Sequence, residues 1–191
     1  GRIGAVSSSW PVVGGNIDAM DAITRPPSAV SEPNRDYAPG SPERAEIEAE
    51  LLALQRRKLR LTATIGGRKR MGAGPEIKVV QPHNHAHVLG QMRGCVESDA
   101  QAAVKAAAKA APMWRSMSFD DRAAILLRAA ELLAGPWRAR LNAATMLGQS
   151  KTVWQAEIDS ACELIDFWRF NVHYGRQILE EQPIANSPGV W

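Results

Sequence analysis

The sequence predicts a mainly α-helical protein with a small antiparallel β meander. Three observations carry that prediction: a capped helix start at Ser41-Pro42-Glu43, short extended runs among glycines and prolines between Leu59 and Met92, and nearly unbroken helical patterning from Ser98 onward. Residues 1–39 differ from the rest. Pro11, Pro26, Pro27, Pro33 and Pro39 punctuate them, beside Ser7–Ser9 and Gly14-Gly15. Such a stretch buries too little apolar surface to offset the entropy of ordering it. It is expected to be a tail or a partner-binding extension, with residues 40–191 forming the folded segment.

Ser41 suits an N-cap, Pro42 the first helical position, and Glu43 the positive helix end. Ile47, Leu51 and Leu54 then recur at helical spacing on one face. Leu59–Ile65, Ile77–Gln81 and Ala86–Met92 read as strands around the Gly66-Gly67 and Met71–Pro75 turns. Ser98 with Gln101 forms a capping-box pattern before an Ala-rich helix that Pro112 is expected to stop. Ser118 with Asp121 starts the next helix, whose apolar face is Leu126, Leu127, Ala130 and Leu133, and Gly135-Pro136 ends it. A short helix is expected over Trp137–Met146. The longest runs from Thr152 to about Tyr174, with Val153, Ala156, Ser160, Leu164 and Phe167 near one face. Gln182–Trp191 reads as an extended, Pro-broken segment that ends in mid-strand.

Composition narrows the classes. The chain has 191 residues, 45% hydrophobic and 23% charged, with a net charge of +3, ordinary values for one soluble domain. Arg56, Arg57, Lys58, Arg60, Arg68, Lys69 and Arg70 are basic, but acidic residues follow throughout and no aromatic residues interleave with them. They read as a solvated helix end and a charged turn, and no nucleic-acid partner is expected. The two cysteines, Cys95 and Cys162, make no disulfide framework, which fits a reducing compartment. No apolar run approaches the roughly 20 residues of a membrane span. The first residues lack a signal-peptide pattern, and Asp18 and Asp21 argue against an intact transit peptide.

Three features invite chemistry. His83, His85 and His87 would share a strand face, but Pro82 and Asn84 mark a turn and no further ligand spacing follows, so a polar turn is expected and no metal site. Cys162 is surrounded in sequence by Asp159, Glu163 and Asp166, which discourage a thiolate, so it reads as a small core residue. The glycines at 66–67 and 72–74 match no phosphate-binding loop. Glu157, Asp159, Glu163 and Asp166 lie on one helix. Their ordinary reading is a solvent-exposed row, and the functional one is a polar cleft or pairing with an arginine such as Arg169.

The stretch Gly148-Gln149-Ser150-Lys151-Thr152-Val153-Trp154-Gln155-Ala156-Glu157-Ile158-Asp159 resembles the Δ1-pyrroline-5-carboxylate dehydrogenase signature, and Glu163-Leu164-Ile165-Asp166-Phe167-Trp168-Arg169-Phe170-Asn171 continues it. Gly40-Ser41-Pro42-Glu43-Arg44, the turn Pro82–His87, Asp121-Arg122-Ala123 and Ala129–Pro136 resemble further elements of that family. Together they cover roughly Gly40–Trp191 and imply the N-terminal segment of the α/β aldehyde dehydrogenase fold. The resemblance implies an NAD-dependent enzyme of proline catabolism that oxidises glutamate γ-semialdehyde to glutamate, in the mitochondrial matrix in eukaryotes. It places Glu163 where the family has a glutamate lining the substrate channel, and it matches Gln182–Trp191 to the start of the oligomerisation strands. In that family the cysteine nucleophile, the general base and the main NAD-binding segment lie downstream of the portion matched. No catalytic, metal-binding or cofactor-binding residue is therefore expected in this chain, and NAD only in a complete enzyme.

Two functions follow. The first is a non-catalytic fragment or pseudoenzyme, acting as an accessory subunit of a larger, mitochondrial assembly whose partner touches residues 1–39 and the Gln182–Trp191 strand. The alternative is the N-terminal piece of an active dehydrogenase.

Overall fold

The computed structural model describes residues 27–185. α1 (Pro42–Gln55) starts where the sequence places it, with the Arg44 N–H donating to the Ser41 hydroxyl at 3.3 Å and Pro42 in the first turn. Ile47 and Leu54 are buried and Leu51 packs beside them. This stripe docks on Ala143 and Leu147 of α4 (Arg138–Gln149), and Tyr37 closes the same cluster. Ile47→Ala would lose both transfer energy and packing there, about 2–5 kcal/mol.

Five strands follow: β1 (Leu59–Arg60), β2 (Ala63–Ile65), β3 (Arg68–Arg70), β4 (Glu76–Gln81) and β5 (Asn84–Arg93). β2 and β3 form an antiparallel hairpin whose two turn residues, Gly66 and Gly67, have φ of 59° and 76°. Positive φ at both positions is the geometry that matches hairpin twist, and glycine adopts it without strain. β4 and β5 are also antiparallel. β1, however, lies on the other edge of β5 and runs parallel to it, with Leu59 opposite Gly90, so one pair departs from a simple meander. Gly90 permits that pairing, because a Cβ there would sit 2.5 Å from the Leu59 carbonyl oxygen.

α2 (Glu97–Ser116) begins one residue before the expected cap. Val96 is its N-cap, and Asp99 rather than Gln101 accepts the Val96 N–H at 3.0 Å. Pro112 does not stop it. The ring is on an exposed position, and the Met117 N–H still reaches the Met113 carbonyl. A proline there removes one helical hydrogen bond without burying the freed carbonyl. No residue of α2 is fully buried, and Val104, Met113 and Trp114 are exposed.

α3 (Phe119–Ala134) starts at Ser118, whose hydroxyl accepts the Asp121 N–H, and ends at Gly135. α5 (Val153–Ala156), a π-helical turn (Glu157–Cys162) and α6 (Glu163–Glu180) follow one another without a break. Thr152 and Gln155 cap this rod reciprocally. The rod shows a second departure from the sequence reading. Helical spacing from Val153 and Ala156 leads to Ser160, Leu164 and Phe167, but the residues buried after Ala156 are Glu157, Ala161, Cys162, Ile165 and Val172, while Phe167 is 54% exposed. The π turn inserts an extra residue and moves the inner face by one position. Ala161 and Ile165 then pack on Ala130 and Leu133 of α3.

Residues 27–39 have no regular structure, yet they lie against α4, the π turn and α6 of their own chain through hydrogen bonds described below. Residues 1–26 and 186–191, including the end of the expected terminal strand, lie outside the described residues. Among the described residues, no helix is long and apolar enough to cross a membrane.

Candidate functional site

The centre of the molecule is a buried charge pair. Arg138, at the start of α4, is 2% exposed, and Glu157, at the start of the π turn, is 0% exposed. The Arg138 Nη2 donates to Glu157 Oε1, and its Nε donates to Oε2 at 3.3 Å. Glu157 also accepts the Arg35 N–H at 2.8 Å, the Tyr37 hydroxyl at 2.7 Å and the Asn142 Nδ2 at 2.8 Å. A carboxylate with this many donors can stay ionised inside a protein. Burial alone would raise the Glu157 pKa, but the Arg138, Arg35 and Tyr37 hydrogen bonds outweigh it and hold the carboxyl below the usual range. Burial alone would lower the Arg138 pKa, and the hydrogen bond and charge of Glu157 raise it instead. Burial, helped by the Glu157 hydrogen bond and charge, pushes the Tyr37 hydroxyl up to about 12.

The segment at residues 31–37 straps across this pair. Glu32 bridges two helices, accepting from Arg138 Nη1 at 2.5 Å and from Arg169 Nη1 of α6 at 2.7 Å. Its backbone N–H donates to Asp166 Oδ1 at 2.7 Å. The Pro33 carbonyl accepts from Arg138 Nη2 at 2.7 Å.

The strap, the π turn and α6 together wall an open cleft of about 660 Å³. Glu163 lines it, with Glu32 and Asp166 on the polar side and Phe167, Phe170 and Tyr174 on the apolar side. Glu163 is exposed, and its N–H makes the π-type bond to the Ile158 carbonyl. Among the described residues its carboxylate has no ion pair or hydrogen bond, whereas Asp159 pairs with Lys151 and Asp166 with the Glu32 amide. The acidic residues are thus not one solvated row. Glu157 is interior, Asp159 and Asp166 are committed, and Glu163 is left facing the cleft. Arg169 does pair with a carboxylate, but with Glu32 of the strap.

Cys162 is buried beside the pair, with its Sγ 3.2 Å from Arg138 Nη2 and 3.7 Å from Glu157 Oε1. Burial and the Glu157 charge push its thiol up to about 11, the opposite of what a nucleophile needs. Cys95 is exposed. The histidines serve the turn: His83 Nδ1 contacts the Ser150 hydroxyl at 2.8 Å and His87 Nε2 the Gln55 carbonyl at 3.1 Å. Sequence reasoning missed Glu32, Tyr37, Arg138 and Asn142. The polar Arg138 and Asn142 at buried positions of an amphipathic helix were the available signal.

The model of the aldehyde dehydrogenase family matches residues 70–191, and the chain belongs to that family. The relatives it is similar to are named Δ1-pyrroline-5-carboxylate dehydrogenases. The Agaricus bisporus enzyme of that name is 42% identical over 174 residues, which is 91% of this chain and 32% of that protein. The mitochondrial enzyme of Emericella nidulans is 37% identical over all 191 residues, 33% of its own length. The crystal structure of the Mycobacterium tuberculosis Δ-pyrroline-5-carboxylate dehydrogenase bound with NAD and cobalamin superposes with a TM-score of 0.86 at 58% identity, covering 91% of this chain and 32% of that one. The chain therefore spans about a third of the length of these proteins.

Proposed function

We propose that this chain works as the N-terminal segment of an NAD-dependent dehydrogenase that oxidises glutamate γ-semialdehyde to glutamate, and that Glu163 lines its aldehyde channel. The observation that carries this reading is the 58% identity and 0.86 TM-score to an enzyme bound with NAD. The cleft supports the second part, since it offers one uncommitted carboxylate, Glu163, against an aromatic wall. Such a wall offers apolar contact to a small polar substrate while the carboxylate orients it. Neither described thiol suits the nucleophile's role: Cys162 is buried with a raised pKa and Cys95 is outside the cleft. The nucleophile, the general base and the NAD site are assigned to polypeptide beyond this segment, where bound NAD would accept the hydride.

The accessory-subunit reading is equally compatible with these relatives. One of its motives was a tail in need of a partner surface, and residues 27–39 lie against this chain's own helices. Several relatives carry a mitochondrial name, and the matrix is the corresponding proposal for a eukaryotic host.

The test is a graft. Residues 27–185 replace the matching segment of the M. tuberculosis enzyme, and NADH formation from the semialdehyde is followed. Turnover within about tenfold of the parent, a loss of at most ~1.4 kcal/mol of transition-state stabilisation, supports the reading. A folded, NAD-binding graft without turnover contradicts it.

A further inference from the structure

The three walls of the Glu163 cleft meet at a residue that does not line it. Arg138 holds the π turn through Glu157 and the strap through Glu32 and the Pro33 carbonyl. Its Nη2 also lies 3.2 Å from the Sγ of Cys162, the cleft-lining residue just before Glu163. Glu32 carries the constraint on to α6 through Arg169 and Asp166.

The π turn gives this arrangement its geometry. With five residues between repeats, Ala156 and Glu157 stack over Ala161 and Cys162, so two adjacent columns are buried together. The next residue, Glu163, completes the turn with its own N–H on the Ile158 carbonyl. In an uninterrupted α-helix that N–H would reach the Asp159 carbonyl instead, and the Glu163 side chain would be rotated relative to Glu157. A buried, multiply bonded carboxylate at the first position of the turn fixes which residues face inward. It thereby fixes where Glu163 points.

We infer that Arg138 is a positioning residue for the Glu163 cleft, acting through Glu157 to hold the π turn and through Glu32 to hold the strap. The inference rests on the reading of Glu163 as the channel carboxylate. Arg138 touches no substrate on this account.

The test needs no turnover, so its outcome is separate from that of the graft. Amide hydrogen exchange is measured residue by residue on the full 191-residue chain and on Arg138→Lys, which keeps the charge but loses the forked donor geometry. Glu32→Gln serves as a second variant that leaves the Arg138–Glu157 pair in place. In Arg138→Lys the amides of Glu32, Arg35 and Glu163 should exchange about tenfold faster, while those of Ala130 and Leu133 in α3 keep the parent rate. In Glu32→Gln only the strap amides should accelerate. A uniform acceleration that includes α3 would show a general loss of stability and overturn the inference. Unchanged protection at Glu163 in Arg138→Lys would overturn it too. If Arg138→Lys does not fold, Glu32→Gln decides: strap-selective acceleration supports the inference, and unchanged strap protection refutes it.

Discussion

Arg138 and Glu157 form an ion pair that is sealed from solvent on both sides, 2% and 0% exposed, at the junction of α4, the π turn and the strap. Breaking a buried pair from one side leaves an uncompensated charge. Arg138→Met should therefore cost about 3–5 kcal/mol in a urea titration. The double variant Arg138→Met/Glu157→Met removes both charges and should be more stable than the single one. A double variant as unstable as the sum of the two single changes would contradict the pairing.

Stability should fall at both pH extremes. The Glu157 pKa is depressed on folding, so its contribution is present above its unfolded value of about 4.3 and is lost as pH falls through the folded one. Tyr37 and Cys162 are raised, to about 12 and about 11. Their contributions are present below the unfolded values of about 10 and about 8.5 and are lost as pH rises toward the folded ones. The urea midpoint should thus decline below about pH 4.3 and above about pH 8.5. A midpoint that rises on acidification from neutral pH would contradict the burial of an ionised Glu157.

The two thiols should behave differently toward an aromatic disulfide reagent. Cys95 is exposed and Cys162 is buried. One equivalent should react quickly in the native chain, and the second only on unfolding. Cys95→Ser should abolish the fast phase. A fast phase that survives in Cys95→Ser would show that the strap does not cover Cys162.

Gly90→Ala tests the parallel pairing of β1. The new methyl would meet the Leu59 carbonyl oxygen at 2.5 Å, a backbone clash that only a shift of β1 relieves. A cost of about 1–3 kcal/mol is expected, with faster exchange of the Leu61 amide, which bonds the Gln91 carbonyl at 2.9 Å. A neutral substitution would mean that β1 is free to pair elsewhere.

Much of the scaffold was legible because its signals are local. Ser41, Ser118 and Thr152 each cap a helix through the side chain, and Ile47 and Leu54 mark the face of α1 that docks. The site was not legible in the same way. Glu157 looked like Asp159 and Glu163, and nothing in its own neighbourhood says that it is interior. Its partners Arg35 and Tyr37 are 122 and 120 residues away. The π turn was also invisible, because a 3.6-residue period carries on through it and points to Phe167 rather than Ile165. Helix spacing put Glu163 in that acidic row, and only the family resemblance singled it out as a channel residue.

The most direct measurement is the Michaelis constant of the grafted enzyme for the semialdehyde, with Glu163 and with Glu163→Ala. If Glu163 lines the channel, truncation should raise that constant by about tenfold, the worth of one lost polar contact, and leave the constant for NAD within error of the parent. An unchanged constant for the semialdehyde, or an equal rise for NAD, would contradict the assignment of Glu163 to the aldehyde side.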